Sequence, residues 1–243
     1  VGDHVYNTRY QLAYDPSVHT VNGVSFEMIH VNGGTFTMGS DDWMTDSIER
    51  PAHSVALSNY YIGKNEVTQA LWQAVMGKNP SKLKGDNLPV ECVTWHDCQE
   101  FVSKLSVMTG LHFTLPTEAQ WEFAARGGNM SENYQYSGSN DTSVAWCAAS
   151  QCTGTHAVAT KEPNELGIHD MSGNVWEWCS DWKGKYNGEA QLDPTGPIKG
   201  ANKIYRGGSW QSDNRKCRVT GRGYGGPMGK GYGLGLRLVR NAD

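Results

Sequence analysis

The chain has 243 residues, a formal net charge of −4 and 38% hydrophobic residues, with nine tryptophans, eleven tyrosines and 29 glycines. Its length fits one large domain with a sizeable core, and the small negative charge without a basic run excludes a nucleic-acid partner. No apolar run approaches the roughly 18 residues of a membrane span, so none is predicted. Glycine well above its usual share of about 7% predicts a loop-rich domain.

The first part of the chain is predicted to be extended. Residues 1–24 are polar and turn-rich, and they are predicted to form an N-terminal extension of a domain that spans 25–243. Alternating apolar side chains predict a first strand over 26–31. Two further stretches, 34–39 and 60–63, are predicted to be strands punctuated by glycine.

Two helices follow, each with a threonine at its start and a glycine at its end. Thr68 is predicted to cap the first helix, which Gly77 ends. Thr94 is predicted to cap the second, which Gly110 ends. A threonine hydroxyl accepts a hydrogen bond from a free N–H group of the first turn, and glycine adopts the left-handed conformation at a helix end without strain.

The third helix has the clearest start signal. Thr117 and Gln120 form a capping box, in which each side chain bonds the backbone N–H of the other residue. Gly127 and Gly128 are predicted to end this helix.

The second half of the chain carries no helical signal. From about residue 129 onward we predict loops with a few short strands, the last of which runs through 234–239. Trp176, Trp178 and Trp182 are predicted to supply buried area to the core, and the alternative is a platform for a sugar ring.

Five short phrases in a fixed order carry a family resemblance. They are Gly-Thr-Phe-Thr-Met-Gly at 34–39, Asn-Glu-Val-Thr-Gln at 65–69, Leu-Pro-Thr-Glu-Ala-Gln-Trp-Glu at 115–122, Gly-Asn-Val-Trp-Glu-Trp at 173–178 and Arg-Gly-Gly-Ser-Trp at 206–210. Together they resemble the formylglycine-generating-enzyme (sulfatase-modifying-factor) family. The resemblance implies an α+β, C-type-lectin-like fold that is loop-rich, with few helices and short antiparallel strands. The family includes oxidases and modules that only bind, so the fold does not decide the function.

The family's oxidases hold copper with two cysteines, five positions apart, shortly after the Gly-Gly-Ser-aromatic phrase. The resemblance places Ser212 and Cys217 at these positions. Because Cu(I) selects soft thiolates, we expect no copper and no catalysis. Cys217 is then predicted to be structural, either paired with Cys179 or buried as a small apolar side chain. The even number of six cysteines, none in a C-x-x-C spacing, favours an oxidising compartment.

The resemblance also implies a structural calcium ion. Its ligands would be the side chains of Asp170 and Glu177 and the backbone carbonyls of Gly173 and Val175. Oxygen ligands suit such a hard cation. The alternative is that Asp170 caps a turn and Glu177 pairs with a nearby arginine.

The C-terminal segment is unusually rich in glycine, with eight glycines among residues 221–235. It lacks the strand, helix and Lys-Ser/Thr pair of a phosphate-binding loop. The family usually carries asparagine here before a Gly-Phe-Arg-Leu ending, which stands as Gly-Leu-Arg-Leu at 235–238. Replacing adenines in asparagine codons yields Gly, Ser, Asp or Tyr. Diversity-generating retroelements mutate adenines selectively, and their variable proteins include members of this family.

We therefore expect a variable ligand-binding segment at about 206–236, in a non-enzymatic display protein that binds a protein or a glycan. An ordinary glycine-rich loop is the alternative for the segment. An oxidase of the formylglycine-generating type and an enhancer module for another enzyme are the alternatives for the function. We expect a secreted or bacterial cell-surface protein, whose export signal or lipid anchor would lie outside this sequence. The predicted ligand contacts are Ser212, Asp213, Gly221, Gly223, Tyr224, Gly225, Gly226, Gly229, Gly231, Tyr232 and Gly233.

Overall fold

The computed structural model describes residues 17–242, in which three helices and eleven short strands are joined by long irregular segments. The helices are α1 (Gln69–Met76), α2 (Trp95–Thr109) and α3 (Glu118–Ala125). The strands are β1 (Val18–Val21), β2 (Val24–Val31), β3 (Gly34–Met38), β4 (His53–Leu57), β5 (Tyr60–Gly63), β6 (Trp176–Trp182), β7 (Gln191–Leu192), β8 (Lys203–Arg206), β9 (Arg222–Gly225), β10 (Leu234–Gly235) and β11 (Val239–Asn241). This loop-rich α+β arrangement confirms the predicted fold class. No helix within 17–242 is long and apolar enough to cross a membrane.

The three predicted helices are confirmed, together with their start signals. Thr68, Thr94 and Thr117 occupy the N-caps, and each hydroxyl accepts a hydrogen bond from a backbone N–H of the first turn. Gly77 and Gly110 follow α1 and α2 with φ of 72° each, the left-handed conformation that favours glycine. The third helix ends slightly earlier than predicted, because the glycine pair after it begins a short 3-10 turn.

The strands form three small sheets. The first joins β1, β2, β5 and β11, the second joins β10, β6, β8 and β9, and the third joins β3, β4 and β7. The pairings are antiparallel, except that β10 pairs with β6 and β7 with β4 in parallel over two residues each. The second sheet carries the glycine-rich segment, because β9 and β10 lie at its two edges.

The strands predicted over 26–31, 34–39 and 60–63 correspond to β2, β3 and β5. Residues 1–16 of the predicted extension lie outside the described residues, and the rest of it forms β1 and the turn into β2. The last predicted strand, 234–239, is split into β10 and β11, which belong to different sheets.

Aromatic side chains fill much of the interior. Trp72 stacks on Phe101 with ring centroids 4.8 Å apart, and Trp178 is fully buried between the helices and the second sheet. Trp178 thus belongs to the core as predicted, whereas Trp176 and Trp182 are only half-buried. A half-buried aromatic ring offers one face to a ligand, which makes Trp176 relevant to the surface described next.

Buried ion pairs tie the second sheet to its surroundings. Arg237 binds both carboxylate oxygens of Glu177 at 2.7 to 3.0 Å and donates to the backbone carbonyl of Gly63 at 2.8 Å. Arg206 pairs with Glu122, and Arg222 pairs with Glu118 through two hydrogen bonds of 2.7 Å. All three arginines are buried, and each is compensated by a carboxylate, as burial of charge requires.

Candidate ligand-binding surface

The glycine-rich segment is held in place by its backbone. Strand β9 pairs antiparallel with β8. In the loop that follows, three backbone carbonyls accept hydrogen bonds from other parts of the domain. The carbonyl of Pro227 accepts a hydrogen bond from the N–H of Trp95 at 3.1 Å, and that of Gly231 accepts one from Cys92 at 3.0 Å. The carbonyl of Gly233 accepts a third, from Trp176 at 2.8 Å. These bonds do not depend on the side chains of the segment.

Three apolar side chains of the segment are exposed, whereas Arg222 is buried against Glu118. Tyr224 is 40% exposed, Met228 71% and Tyr232 55%, so each of them offers apolar area to solvent. Exposed apolar side chains gathered on one face mark interaction sites more often than scattered ones do. The ammonium group of Lys183 lies 3.4 Å from the centre of the Tyr224 ring, which orients that ring by a cation–π contact.

A groove of 420 Å³ adjoins this surface. Trp176 and Tyr205 form its floor, with ring centroids 5.0 Å apart in an edge-to-face arrangement. Gly223 and Tyr224 form one wall, and Asp46 and Lys216 form another. Sequence reasoning missed Tyr205 and the wall at residue 46, because nothing in the local sequence signals that these distant segments meet.

The predicted glycines fall into two groups according to the space around them. A Cβ atom at Gly221, Gly223 or Gly233 would lie within 2.2 to 2.9 Å of a neighbouring atom. At Gly223 that neighbour is the ring of Tyr205. In contrast, a Cβ atom at Gly226 or Gly231 would meet nothing within 4 Å. The open positions accept any side chain, whereas the closed ones hold glycine for packing.

The remaining glycines are intermediate. A Cβ atom at Gly225 would lie 3.3 Å from the ring of Tyr205, and one at Gly229 would lie 3.0 Å from the carbonyl oxygen of Gly226. A side chain at either position therefore requires its neighbour to move by a few tenths of an ångström.

Ser212 and Asp213 lie beside the far end of the segment. The hydroxyl of Ser212 accepts a hydrogen bond from the N–H of Ser209 at 3.0 Å, and Ser209 packs against Gly233. Asp213 is exposed and accepts a hydrogen bond from the N–H of Arg215 at 2.9 Å. The indole N–H of Trp210 donates to the carbonyl of Tyr232 at 3.0 Å and so joins the two segments. The structure thus brings 212–213 and 231–233 together.

The cysteines show an arrangement that the sequence did not indicate. All six are free thiols, and Cys217 does not pair with Cys179, which lies in a different buried cluster. Cys217 is fully buried, in agreement with the other predicted alternative, and its thiol contacts that of Cys147. This hydrogen bond lowers the pKa of Cys147 to about 6, and it raises the pKa of Cys217. A second thiol therefore lies beside Cys217, although not at position 212.

The residues predicted to bind calcium have other partners. Both carboxylate oxygens of Glu177 are bound by Arg237, and one of them also accepts the indole N–H of Trp121 at 2.6 Å. One oxygen of Asp170 accepts the N–H of Ala159 at 2.7 Å. Glu177 lacks an uncommitted oxygen for a cation, so this donor set does not fit calcium as described. No group of three or more acidic, histidine or cysteine side chains suited to a metal ion occurs within residues 17–242.

Gly173 and Val175, the other two predicted calcium ligands, lie in a closely packed turn. A Cβ atom at Gly173 would lie 2.2 Å from the carbonyl oxygen of Trp146. The N–H of Val175 donates to the buried carboxylate of Glu66 at 3.0 Å. Burial, followed by the nearby carboxylates of Asp170 and Glu177, raises the pKa of Glu66 well above its ordinary value. This turn is therefore stabilised by a buried acid and backbone contacts.

Comparisons with known proteins agree with these observations. The family profile described as the sulfatase-modifying factor enzyme 1-like domain matches residues 17–242. The chaperone protein LppX of Paenibacillus barcinonensis is 34% identical, with 90% of each chain covered. A formylglycine-generating enzyme of Streptomyces coelicolor is 31% identical over 73% of this chain and 60% of its own length.

Among solved structures, Treponema denticola variable protein 1 superposes with a TM-score of 0.87 and 33% sequence identity, covering 93% of this chain and 98% of the other. This similarity to a variable protein confirms the predicted resemblance to such proteins, which was inferred from the residue types of the C-terminal segment. The profile match spans all of the described residues, and it shows the family. The chain belongs to the sulfatase-modifying factor family.

Proposed function

We propose that this chain is a non-enzymatic ligand-binding display protein, and that the surface around Tyr224 and Tyr232 is where it binds a protein or glycan partner. The observation that carries this proposal is the independence of the surface from the scaffold. Backbone hydrogen bonds hold the loop after β9, while Tyr224, Met228 and Tyr232 face solvent. Substitutions at such exposed positions change stability little, so the partner can be changed without loss of the fold.

The source of the diversity is proposed to be a retroelement that mutates adenines. This is supported by the residue types in the segment and by the similarity to a variable protein. The open positions Gly226 and Gly231 are those at which we expect sibling sequences to differ, because a side chain there meets no neighbour. The surrounding DNA should then contain a reverse transcriptase and an adenine-bearing near-copy of the segment for residues 206–236. Sibling sequences that differ everywhere except in this segment would rule out the proposal.

Exposure on a bacterial surface or secretion follows from the display role, with a lipid anchor as a means of attachment. This location is testable by protease treatment of intact cells of the source organism, followed by detection of the domain. Loss of the domain, while a cytoplasmic marker survives, is the expected result.

The binding role is tested with a library in which Tyr224, Gly226, Met228, Gly231 and Tyr232 are randomised on a display host. We expect binders against several unrelated proteins or glycans to emerge with unchanged thermal stability. A matched library at five exposed residues outside the segment serves as the control. In a selected binder, replacing the residue at position 224 by alanine should abolish binding without lowering stability. Equal yields of binders from both libraries would show that the segment has no special role.

A second candidate function, an oxidase of the formylglycine-generating type, is favoured by one observation. Copper was not expected because one of two thiols is missing, but Cys147 supplies a second thiol beside Cys217. Two thiolates suit Cu(I), so Cys147 and Cys217 would hold the ion, which would supply oxygen chemistry on a bound thiol. Formation of an aldehyde on a peptide with a sulfatase motif, lost in Cys147→Ser but kept in Cys98→Ser, would support this function over display alone.

A further inference from the structure

A separate cavity of 490 Å³ opens between β4, the start of α3 and the segment after β6. This volume suits a small organic molecule, since ligand pockets span about 300–1,000 Å³. None of the predicted ligand contacts lines the cavity. Its buried polar residues include His53, Glu118, Asp181 and Arg222, each no more than 5% exposed. A cavity that gathers so many buried polar groups is a candidate binding site.

Asp181 is the group in this cavity whose charge is least compensated. Its Oδ2 atom accepts hydrogen bonds from the N–H of Glu118 at 2.9 Å and from the hydroxyl of Ser180 at 3.0 Å. Both bonds end on Oδ2, which leaves Oδ1 for the cavity. Burial raises the pKa of Asp181 to about 7, and the carboxylate of Glu118 adds to the rise. A buried carboxyl with a raised pKa and a free oxygen is what an incoming cation would stabilise.

None of the neighbouring cations that the structure describes forms an ion pair with the carboxylate of Asp181. Arg222 binds Glu118 through two hydrogen bonds of 2.7 Å, so these two charges cancel each other. Lys203 donates to the carbonyl of Ser180 at 2.7 Å, and its ammonium group lies 3.8 Å from the centre of the Trp182 ring. No ion pair within 4.0 Å involves Asp181 in the part of the chain that the structure describes. Asp181 is therefore left without an ion-pair partner, and Lys185, which also lines the cavity, does not pair with it.

The space beside Asp181 is kept open by a glycine. Gly196 has φ of 73°, and a Cβ atom on it would lie 3.0 Å from Oδ1 of Asp181. The loop that carries Gly196 is anchored by Asp193, which accepts hydrogen bonds from the N–H and the hydroxyl of Ser58 at 2.8 and 2.7 Å. The absence of a side chain at residue 196 and the fixed loop together preserve access to Oδ1.

The rest of the lining includes apolar and aromatic side chains, together with the polar residues Lys185, Asn187, Gln191 and Thr195. Met38, Trp182 and Pro197 line the cavity, and Tyr186 adds a ring whose hydroxyl is buried without a hydrogen-bond partner among residues 17–242. Apolar walls with a few polar groups are typical of sites for small organic molecules. The unpartnered hydroxyl offers a further hydrogen bond to a ligand.

We propose that this cavity binds a small primary amine, whose ammonium group pairs with Oδ1 of Asp181 and whose apolar or aromatic body lies against Trp182, Tyr186 and Pro197. An ammonium group supplies Asp181 with a cationic partner and brings three hydrogen-bond donors. The site is separated from the surface around Tyr224 by Arg222, whose guanidinium donates to the carbonyl of Ile48 at 2.6 Å. The proposal therefore goes beyond the display function.

The experiment titrates the protein with benzylamine and with benzyl alcohol, which has the same ring but no charge, and follows the amide chemical shifts. We expect benzylamine to bind saturably, with shifts that map to the cavity, and benzyl alcohol to bind about tenfold more weakly or less. Asp181→Asn should weaken benzylamine by about the same factor, because it keeps the shape and removes the charge. Tyr224→Ala, on the other surface, should bind benzylamine as the wild type does.

A second variant covers the case in which Asp181→Asn fails to fold. Thr195→Trp places a large side chain at the exposed rim of the cavity, leaves Asp181 intact and should also abolish benzylamine binding. Equal affinity for the amine and the alcohol would overturn the proposal, as would unchanged binding in both variants. Loss of binding in Tyr224→Ala would also overturn it, because the amine would then bind the other surface. Failure of the display libraries leaves all of these outcomes unaffected.

Discussion

Two regions of the molecule are stabilised in opposite ways. The interior of the second sheet depends on side chains, since Arg206, Arg222 and Arg237 are buried against carboxylates. The edge formed by 223–233 depends on backbone hydrogen bonds and carries few side chains. A side-chain substitution should therefore be costly in the first region and nearly neutral in the second. This difference separates the part of the sequence that specifies the fold from the part that is free to specify a partner.

The largest effect is expected from breaking a buried ion pair. Arg237→Met leaves the carboxylate of Glu177 buried without its partner, and removal of one member of such a pair costs about 3–5 kcal/mol. Urea unfolding measures this loss. The matched control is Arg215→Met, which removes an exposed pair with Asp213 and should leave the free energy of unfolding almost unchanged. Similar losses of stability in the two variants would show that the buried ion pair contributes no more than the exposed one.

Asp181 offers the converse test of a buried charge, because it is buried without an ion-pair partner. Its folded pKa of about 7 exceeds its unfolded value, so its contribution to stability is complete below the unfolded pKa of about 3.9 and is lost as pH rises through 7. The raised pKa of Asp181 corresponds to a loss of about 4 kcal/mol in the free energy of unfolding at pH 8. Asp181→Asn should remove this loss.

The measurement is the free energy of unfolding of both proteins between pH 5 and pH 9. We expect the stability advantage of the variant over the wild type to grow between pH 5 and about pH 7 and to level off above, with Glu118 and Lys203 as the charges that tune the folded pKa. A constant difference over this range would mean that Asp181 is ionised throughout, and that Lys203 compensates it.

Smaller effects should separate the closed and open glycines within the edge itself. Gly223→Ala places a methyl group 2.2 Å from the ring of Tyr205, and overpacking of this kind costs about 1–3 kcal/mol. Gly226→Ala meets no neighbour and should change stability by less than about 0.5 kcal/mol. Thermal unfolding of the two variants compares them directly. Equal changes in stability would show that the backbone of the edge shifts to accept a side chain at either position, so that residue 223 is also free to vary.

The local sequence predicted the helices well, because their signals are local. A threonine that caps a helix and a glycine that ends it act within a few residues, and the starts of all three helices were correct. Strand β4 was not predicted, although the alternation in His53–Leu57 is present in the sequence. The split of 234–239 into two sheets was also missed, because which neighbours a strand pairs with depends on distant segments.

The candidate surface was predicted as a segment and not as a shape. Composition alone pointed to 221–233, but it could not distinguish Gly223 from Gly226, since only the position of the Tyr205 ring separates them. The contact of Cys147 with Cys217 was equally invisible, because the two cysteines are 70 positions apart in the sequence. Long-range packing therefore supplied what residue type and spacing lacked.

The smallest effect is expected where the family resemblance implied calcium. Both oxygens of Glu177 are held by Arg237, so we expect the melting temperature to remain unchanged by a chelator and by calcium added after it. The control is the same titration of Arg237→Met, in which Glu177 is freed and a cation has a carboxylate to bind. A calcium-dependent rise confined to this variant would show that the guanidinium occupies the place of the cation. A calcium-dependent rise in the melting temperature of the wild type would mean that calcium displaces Arg237 from Glu177. The interior would then be as adaptable as the edge.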